Sequence, residues 1–181
     1  MPQITFIDTE VDPTSKKILD IGCVNDNGSM FHSPSLSELG DFLQTSEYLC
    51  GHNIIDHDKK YLEKWIGTDF ASRYKFIDTL FLSPLFYPEQ PYHKLVKDDK
   101  LDSENLNNPY IDATKARDLF YDEKNKFLGL DKELKSIYFN LVKDSEYFKH
   151  FFDIVGYNDE NPKLAELISS YFNQLICSSR D

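Results

Sequence analysis

The sequence predicts an α/β fold in which a mixed sheet is flanked by helices. Short apolar runs rich in β-forming residues alternate with turn signals up to residue 77, and helical apolar spacing dominates after residue 112. The composition, 40% hydrophobic and 28% charged, is that of a folded globular chain. With 181 residues the chain is long enough for one domain with a sizeable core.

The first third of the chain predicts a meander of strands followed by a helix. Turn residues at 12–15 and 25–29 separate three apolar runs, which places strands at 4–8, 18–24 and 30–32. Ser35 and Glu38 have the spacing of a capping box, so a helix is predicted over 35–43. A buried strand is then predicted at 48–51.

The remaining elements are mainly helical. A helix is predicted over 58–65, with Tyr61, Leu62 and Trp65 on one face. A strand at 74–77 leads into a short helix that must end before Pro88, and the polar stretch 88–108 is predicted to be a long loop. Four further helices are predicted at 112–120, 131–142, 146–154 and 163–176.

Charge and cysteine content restrict the class of protein. Twenty basic and 31 acidic side chains give a net charge of −11, which makes the chain a poor sequence-independent clamp on nucleic acid. Three cysteines (Cys23, Cys50 and Cys177) without metal-type spacing predict reduced thiols in a cytosolic protein. No apolar run reaches the roughly 18 residues of a membrane span, and the first residues lack the basic region of a signal peptide.

Three carboxylate positions at element ends point to a metal site. Asp8 ends the first strand and Glu10 follows two residues later, so both project on the same side. Adjacent carboxylates repel each other unless a divalent cation lies between them. Asp58 begins a helix after the strand at 48–51, and Asp112 opens the helix at 112–120.

Each position also has a purely structural interpretation. Asp58 is a suitable helix cap, and Asp112 is either a cap or a solvated acid of the first helical turn. Asp8 and Glu10 are compatible with a strand that runs into an acidic turn. His52 and His57 near Asp58 resemble part of a zinc site, but no cysteine or third histidine stands near them. The hypothesis of a carboxylate metal centre therefore depends on the joint arrangement.

Three motifs resemble those of the DnaQ-like 3′–5′ exonucleases of the DEDD superfamily. They are FIDTE at 6–10, GHNIIDHDKKYL at 51–62 and IDATKARDLF at 111–120, and they occur in the family's order. The resemblance covers residues 3–122 and implies a ribonuclease-H-like fold. Residues 77–101 and the turn at 107–109 are similar, more narrowly, to exonuclease domains attached to bacterial RecQ-like DNA helicases.

The resemblance implies a site in which Asp8, Glu10, Asp58 and Asp112 hold two Mg²⁺ or Mn²⁺ ions. It also implies the reaction, in which a nucleoside monophosphate is released from a free 3′ end in the bacterial cytosol. The family's general base is a histidine five residues before the last aspartate, or a tyrosine four before it. This chain has asparagines at both positions, 107 and 108. The general base is therefore either His93, in the loop just upstream, or no side chain at all.

Nucleic-acid contacts are expected around the same site. We expect contacts from His52, Asn53, Lys94 and Asn107. Lysines at 59, 60, 97 and 100 are further candidates for the phosphate backbone, and Tyr92 or Phe31 for stacking on bases. Single-stranded DNA is the preferred partner, RNA is an alternative, and no membrane is expected.

The domain organisation follows from the extent of the resemblance. Residues 1–125 are predicted to be the exonuclease domain, and 126–181 a helical extension that packs on it or leads to a missing module such as a helicase. Two other functions remain open: a non-catalytic module that binds nucleic acid or protein, and a ribonuclease that acts on short RNA.

Overall fold

A computed structural model describes residues 3–67, 69–95 and 108–173 of the chain. The fold is α/β, with a five-stranded mixed sheet in the order β3-β2-β1-β4-β5. The central strand β1 pairs antiparallel with β2 and parallel with β4. The strands are β1 (Ile4–Val11), β2 (Ile18–Asn25), β3 (Met30–His32), β4 (Tyr48–Gly51) and β5 (Lys75–Asp78).

Eight helices are found in the described part of the chain. They are α1 (Leu36–Phe42), α2 (Asp58–Ile66), α3 (Asp69–Arg73), α4 (Thr79–Phe86), α5 (Pro109–Gly129), α6 (Lys132–Val142), α7 (Lys149–Val155) and α8 (Leu164–Tyr171). A single 3-10 turn follows α1 at Leu43–Thr45. All five predicted strands are confirmed, and so are the predicted helices that correspond to α1, α2, α4 and α6.

Several predicted boundaries are wrong. The helix expected at 112–120 is the 21-residue α5, because Asn108 caps it, Pro109 occupies its first turn and buried Phe127 extends its apolar face. The helix expected at 146–154 begins at Lys149, after turns that start at Ser145. The short helix α3 was not predicted. Residues 174–176 of the last predicted helix, and most of the loop predicted at 88–108, lie outside the described residues.

Two apolar cores lie on opposite faces of the sheet, because successive strand residues point to alternate sides. Phe6 and Cys50 belong to one core, which includes α5 and α7. Ile7 and Leu49, each next in sequence to one of these, belong to the other core, which includes Leu62 of α2. The two cysteines that the structure describes, Cys23 and Cys50, are free and buried.

The C-terminal helices contribute to the same core as the sheet. Phe127, Phe151 and Phe152 are buried in one cluster with Phe6 of β1. Residue 125, the predicted end of the first domain, lies inside α5. The division at that residue remains a prediction. None of the helices in the described ranges is long and apolar enough to cross a membrane.

One buried acid interrupts this aromatic core. Glu123 of α5 is fully buried, and within the described residues neither of its carboxylate oxygens has a hydrogen-bond partner. Burial, followed by the nearby charges of Asp78 and Asp122, raises the pKa of Glu123 to about 10. The side chain is therefore held in its neutral form at pH 7.

Candidate metal and nucleic-acid site

The acids singled out from the sequence line one cleft of about 360 Å³. The cleft lies where β1, the start of α2 and the first turn of α5 meet. Its wall contains Asp8, Thr9, Glu10, His52, Asn53, His57, Asp58, Leu80, Lys94, Leu95 and Asp112. Residues that are as many as 104 positions apart in sequence thus share one surface.

Three of the four predicted metal ligands form a tight cluster. One carboxylate oxygen each from Asp8, Glu10 and Asp112 lies within 4.8 Å of the others, and all three residues are half-buried. β1 continues to Val11, so both acids lie within the strand, and the prediction that it ends at Asp8 was wrong. They share the α5 side of the strand with Phe6, because alternate residues face the same way.

A close approach between α5 and β2 brings Asp112 to this cluster. Gly22 pairs with Asp8 across β1 and β2. A Cβ atom at Gly22 would lie 2.0 Å from the backbone nitrogen of Tyr110, so only glycine lets the first turn of α5 rest on the strand. The helix start, which carries Asp112, is thereby held beside Asp8.

Asp58 reaches the cleft with a different set of contacts. It is almost fully buried, and its Oδ1 accepts hydrogen bonds from the backbone N–H of Thr9 at 2.9 Å and from the Thr9 hydroxyl at 2.6 Å. The Thr9 side chain points to the face of β1 opposite Asp8 and Glu10. Asp58 is therefore anchored from the other side of the strand and lies outside the cluster of three.

The helix-cap interpretation fails for both helix-start acids. His57 is the N-cap residue of α2, and the described hydrogen bonds of the Asp58 carboxylate go to β1 rather than to its own helix. Asn108 caps α5 by accepting a hydrogen bond from the Tyr110 N–H. Asp112 is the fourth residue of that helix, so its carboxylate is not the cap.

Asp78 supports the loop between β4 and α2, and the sequence analysis missed it. Its carboxylate accepts hydrogen bonds from the backbone N–H groups of Asn53, Ile55 and Leu80 at 2.8–3.0 Å. Burial raises the pKa of Asp78 to about 6, against the opposing effect of these three bonds. The anchored loop carries His52 and holds Asn53 in a left-handed conformation, with a φ of 69°.

His52 is held as a neutral ring. Burial lowers its pKa to about 4. Its Nε2 accepts a hydrogen bond from the Leu95 N–H at 3.2 Å, so the proton resides on Nδ1, which lies 2.9 Å from the Thr79 hydroxyl. His52, which follows β4, therefore holds the segment 88–95 through Leu95. This segment includes Lys94, which lines the cleft.

The predicted base, His93, lies at the edge of this arrangement. Its Nδ1 is 2.9 Å from the Ser83 hydroxyl, and it is not among the residues that line the cleft. His57, which we considered only as part of a zinc site, does line it, with Nδ1 3.7 Å from the Asp58 carboxylate. The interaction with the Asp58 carboxylate raises the pKa of His57.

Some of the residues expected to contact nucleic acid line the cleft, and others lie away from it. His52, Asn53 and Lys94 line the cleft together with the acids. Phe31 packs on Phe42 in the core beneath α1, whereas Tyr92 is 82% exposed. The predictions for residues 97, 100 and 107 lie outside the described residues.

The donor set fits a hard divalent cation. Its ligand atoms are carboxylate oxygens, which Mg²⁺ and Mn²⁺ prefer, and no cysteine or histidine belongs to the cluster of three in the ranges described. No family model, curated protein or solved structure matches this chain.

Proposed function

We propose that this chain is a metal-dependent 3′–5′ exonuclease of the DnaQ-like type, with a ribonuclease-H-like fold. It would hydrolyse phosphodiester bonds from the 3′ end of DNA and act with a helicase in repair or recombination in the bacterial cytosol. The observation that carries the proposal is the convergence of Asp8, Glu10 and Asp112 within 4.8 Å, with Asp58 on the same cleft. A strand, two helices and a close glycine contact are needed to produce that convergence.

The clustered acids have a chemical rationale in this reaction. Asp8, Glu10 and Asp112 would hold the divalent cations, and Asp58 would complete the ligand set through the oxygen that faces His57. Two divalent cations supply stabilisation of the negative charge that develops on the attacking and leaving oxygens of phosphodiester hydrolysis. The cations would also make an acidic cleft attractive to phosphate.

The surrounding residues position the substrate in this proposal. Lys94 lines the cleft and would neutralise a phosphate next to the carboxylates. His52 cannot act as a cation at pH 7, because its pKa is near 4. Its role is to fix the segment that carries Lys94. His93 remains the predicted base, and it would have to turn from Ser83 toward the cleft to act on a water molecule there.

The experiment is the degradation of single-stranded DNA labelled at its 5′ end. With Mg²⁺ or Mn²⁺ we expect progressive shortening from the 3′ end and release of nucleoside monophosphates, and excess chelator should stop both. Asp8→Asn and Asp58→Asn should each lower the rate by at least about 100-fold, because each removes a charge that the cations require. Asp118→Asn is the matched control, since this exposed acid of α5 pairs with Arg117 away from the cleft.

The outcomes separate the alternatives. Shortening that continues unchanged in excess chelator would overturn the proposal. Binding of the strand without hydrolysis under every metal condition would favour a non-catalytic binding module. Degradation of RNA but not DNA of the same sequence would make the chain a ribonuclease.

A further inference from the structure

The exposed flank of α2 alternates aromatic and basic side chains. Tyr61 and Trp65 lie one helical turn apart, and the ammonium groups of Lys60 and Lys64 lie over their rings, each 5.0 Å from a ring centroid. The sequence predicted that Tyr61, Leu62 and Trp65 lie on one face of this helix. Only Leu62 is fully buried, whereas Trp65 is 41% exposed. We call Lys60, Tyr61, Lys64 and Trp65 the α2 track.

Trp65 is held in a defined position at the end of this track. Its indole N–H donates a hydrogen bond to the backbone carbonyl of Lys16 at 3.3 Å. The ring forms one wall of a groove of about 210 Å³, whose other lining residues are Lys17, Ile18, Pro34 and Leu36. An exposed but anchored indole beside an apolar groove has the size and character of a platform for a planar aromatic group.

The charge around the track is opposite to that of the whole chain. The chain has a net charge of −11, yet none of the residues that line the Trp65 groove is acidic, and Lys17 is among them. Of the two acids of α2, Asp58 is buried against Thr9 of β1. The other, Glu63, lies one helical turn from Lys59, whose ammonium lies over the Phe76 ring. The track thus presents lysines and aromatic rings together, which is the combination that fits a phosphate backbone with unstacked bases.

The track is continuous with the carboxylate cleft. The His57 ring, which lines the cleft, lies 5.2 Å from the Tyr61 ring. Ile18 of the groove pairs with Val11, the residue after Glu10. From residue 57 to 65 the helix rises about 12 Å, enough for a few nucleotides of an extended strand.

We propose that the α2 track binds single-stranded nucleic acid on the 5′ side of the nucleotide in the cleft. The 5′ assignment rests on the proposed exonuclease function, because a strand whose 3′ end enters the cleft must leave it in the 5′ direction. Bases stack on Trp65 and Tyr61, while Lys60, Lys64 and Lys17 contact phosphates. The cleft alone handles the terminal nucleotides, and the track adds affinity for longer strands.

The test is binding of a fluorescent oligothymidylate of about 12 nucleotides, measured by anisotropy in chelator so that no hydrolysis occurs. Trp65→Ala should raise the Kd about tenfold, the effect expected when one base loses its stacking partner. The double variant Lys60→Gln with Lys64→Gln should weaken binding and reduce the slope of log Kd against log salt by about 1.4, since each contact to a single strand contributes about 0.7.

Matched controls test whether a loss of affinity is specific to the track or follows from removing any lysine charge or any exposed aromatic ring. The double variant Lys132→Gln with Lys163→Gln removes the same charge from the C-terminal helices, and Tyr171→Ala removes an exposed aromatic ring from α8. Both controls should bind the strand like wild type. Wild-type affinity of the track variants, or an equal loss in the controls, would overturn the inference.

A photocrosslinking experiment distinguishes failure of the inference from failure of the proposed function. An oligonucleotide that carries 5-iododeoxyuridine at successive positions should crosslink to Trp65 or Tyr61 only when the label lies several nucleotides from the 3′ end. Crosslinks at those positions without metal-dependent shortening would support the track and contradict the exonuclease. Trp65→Ala could instead change the rate of shortening by the same factor for a dinucleotide and for a long strand. That result would leave the exonuclease proposal intact and contradict the binding role of the track.

Discussion

Replacing Gly22 with alanine tests how the cleft is assembled, because this position separates β2 from the start of α5. The new Cβ would lie 2.0 Å from the Tyr110 backbone nitrogen, whereas ordinary contacts begin at 3.4 Å. The helix start must therefore move by about 1.4 Å or the strand must yield, and forced overpacking of this kind costs about 1–3 kcal/mol. For a chain of this size, that lowers the Tm by about 2–12 °C.

The same shift changes the distance between Asp112 and Asp8. A misplacement of about 1 Å in a catalytic constellation costs about 100-fold in rate. Thermal unfolding and the rate of metal-dependent 3′ shortening measure the two effects separately. Gly40→Ala is the control, because a Cβ there meets nothing within 4 Å and lies inside α1, so it should keep the rate and hold or raise the Tm. A Gly22→Ala protein with wild-type Tm and rate would refute the packing argument.

Three further substitutions follow from buried polar groups. Thr9→Val should lower the free energy of unfolding by about 1.5–3 kcal/mol in urea titrations, and much less in an Asp58→Asn background, since the hydroxyl donates to that carboxylate. Asp78→Asn should speed hydrogen exchange at the Ile55 amide, because one of its acceptor oxygens becomes a donor group. Glu123→Met should remove a pH dependence. Because the pKa of Glu123 is raised on folding, its contribution to the free energy of unfolding is fully present below its ordinary pKa of 4.5. This contribution is lost progressively as the pH rises toward about 10. From pH 4 to 8 the stability of the variant relative to wild type should therefore rise by on the order of 5 kcal/mol, and a constant difference over this range would contradict this.

The strands and the pairing of Asp8 with Glu10 could be predicted because their signals are local. Turn residues bound each β-rich run, and the two-residue spacing of Asp8 and Glu10 places both on one side of β1 whether the strand ends at residue 8 or at Val11. These features depend on neighbours in sequence and on simple periodicity.

The missed features depend on contacts between distant elements. Gly22 sits inside an apolar strand, and nothing near it in sequence indicates that Tyr110 will approach within contact distance. Asp78 ends β5 and caps α4, and these two roles are sufficient to explain an aspartate at this position. Nothing near it in sequence therefore indicates that it also anchors the loop at Asn53. The exposure of Trp65 was also missed, since a stripe at helical spacing does not show where the buried sector ends.

The length of α5 was underestimated for a related reason. Its second half contains many charged residues, which weakens the helical pattern after Phe120. The aromatic core formed with α7 stabilises that half, and Phe127 lies in ring contact with Phe151 and Phe152. Tertiary packing therefore decides where this helix ends, and the local pattern does not record it.

The most direct test of the central claim is to locate the cation itself. Crystals grown with Mn²⁺ and thymidine monophosphate, the product expected from an oligothymidylate, would be measured at a wavelength where manganese scatters anomalously. The account predicts an anomalous peak at bonding distance from Asp8, Glu10 and Asp112, with the nucleotide phosphate beside it. An ordered cleft without such a peak, with manganese bound elsewhere in the same crystal, would contradict it.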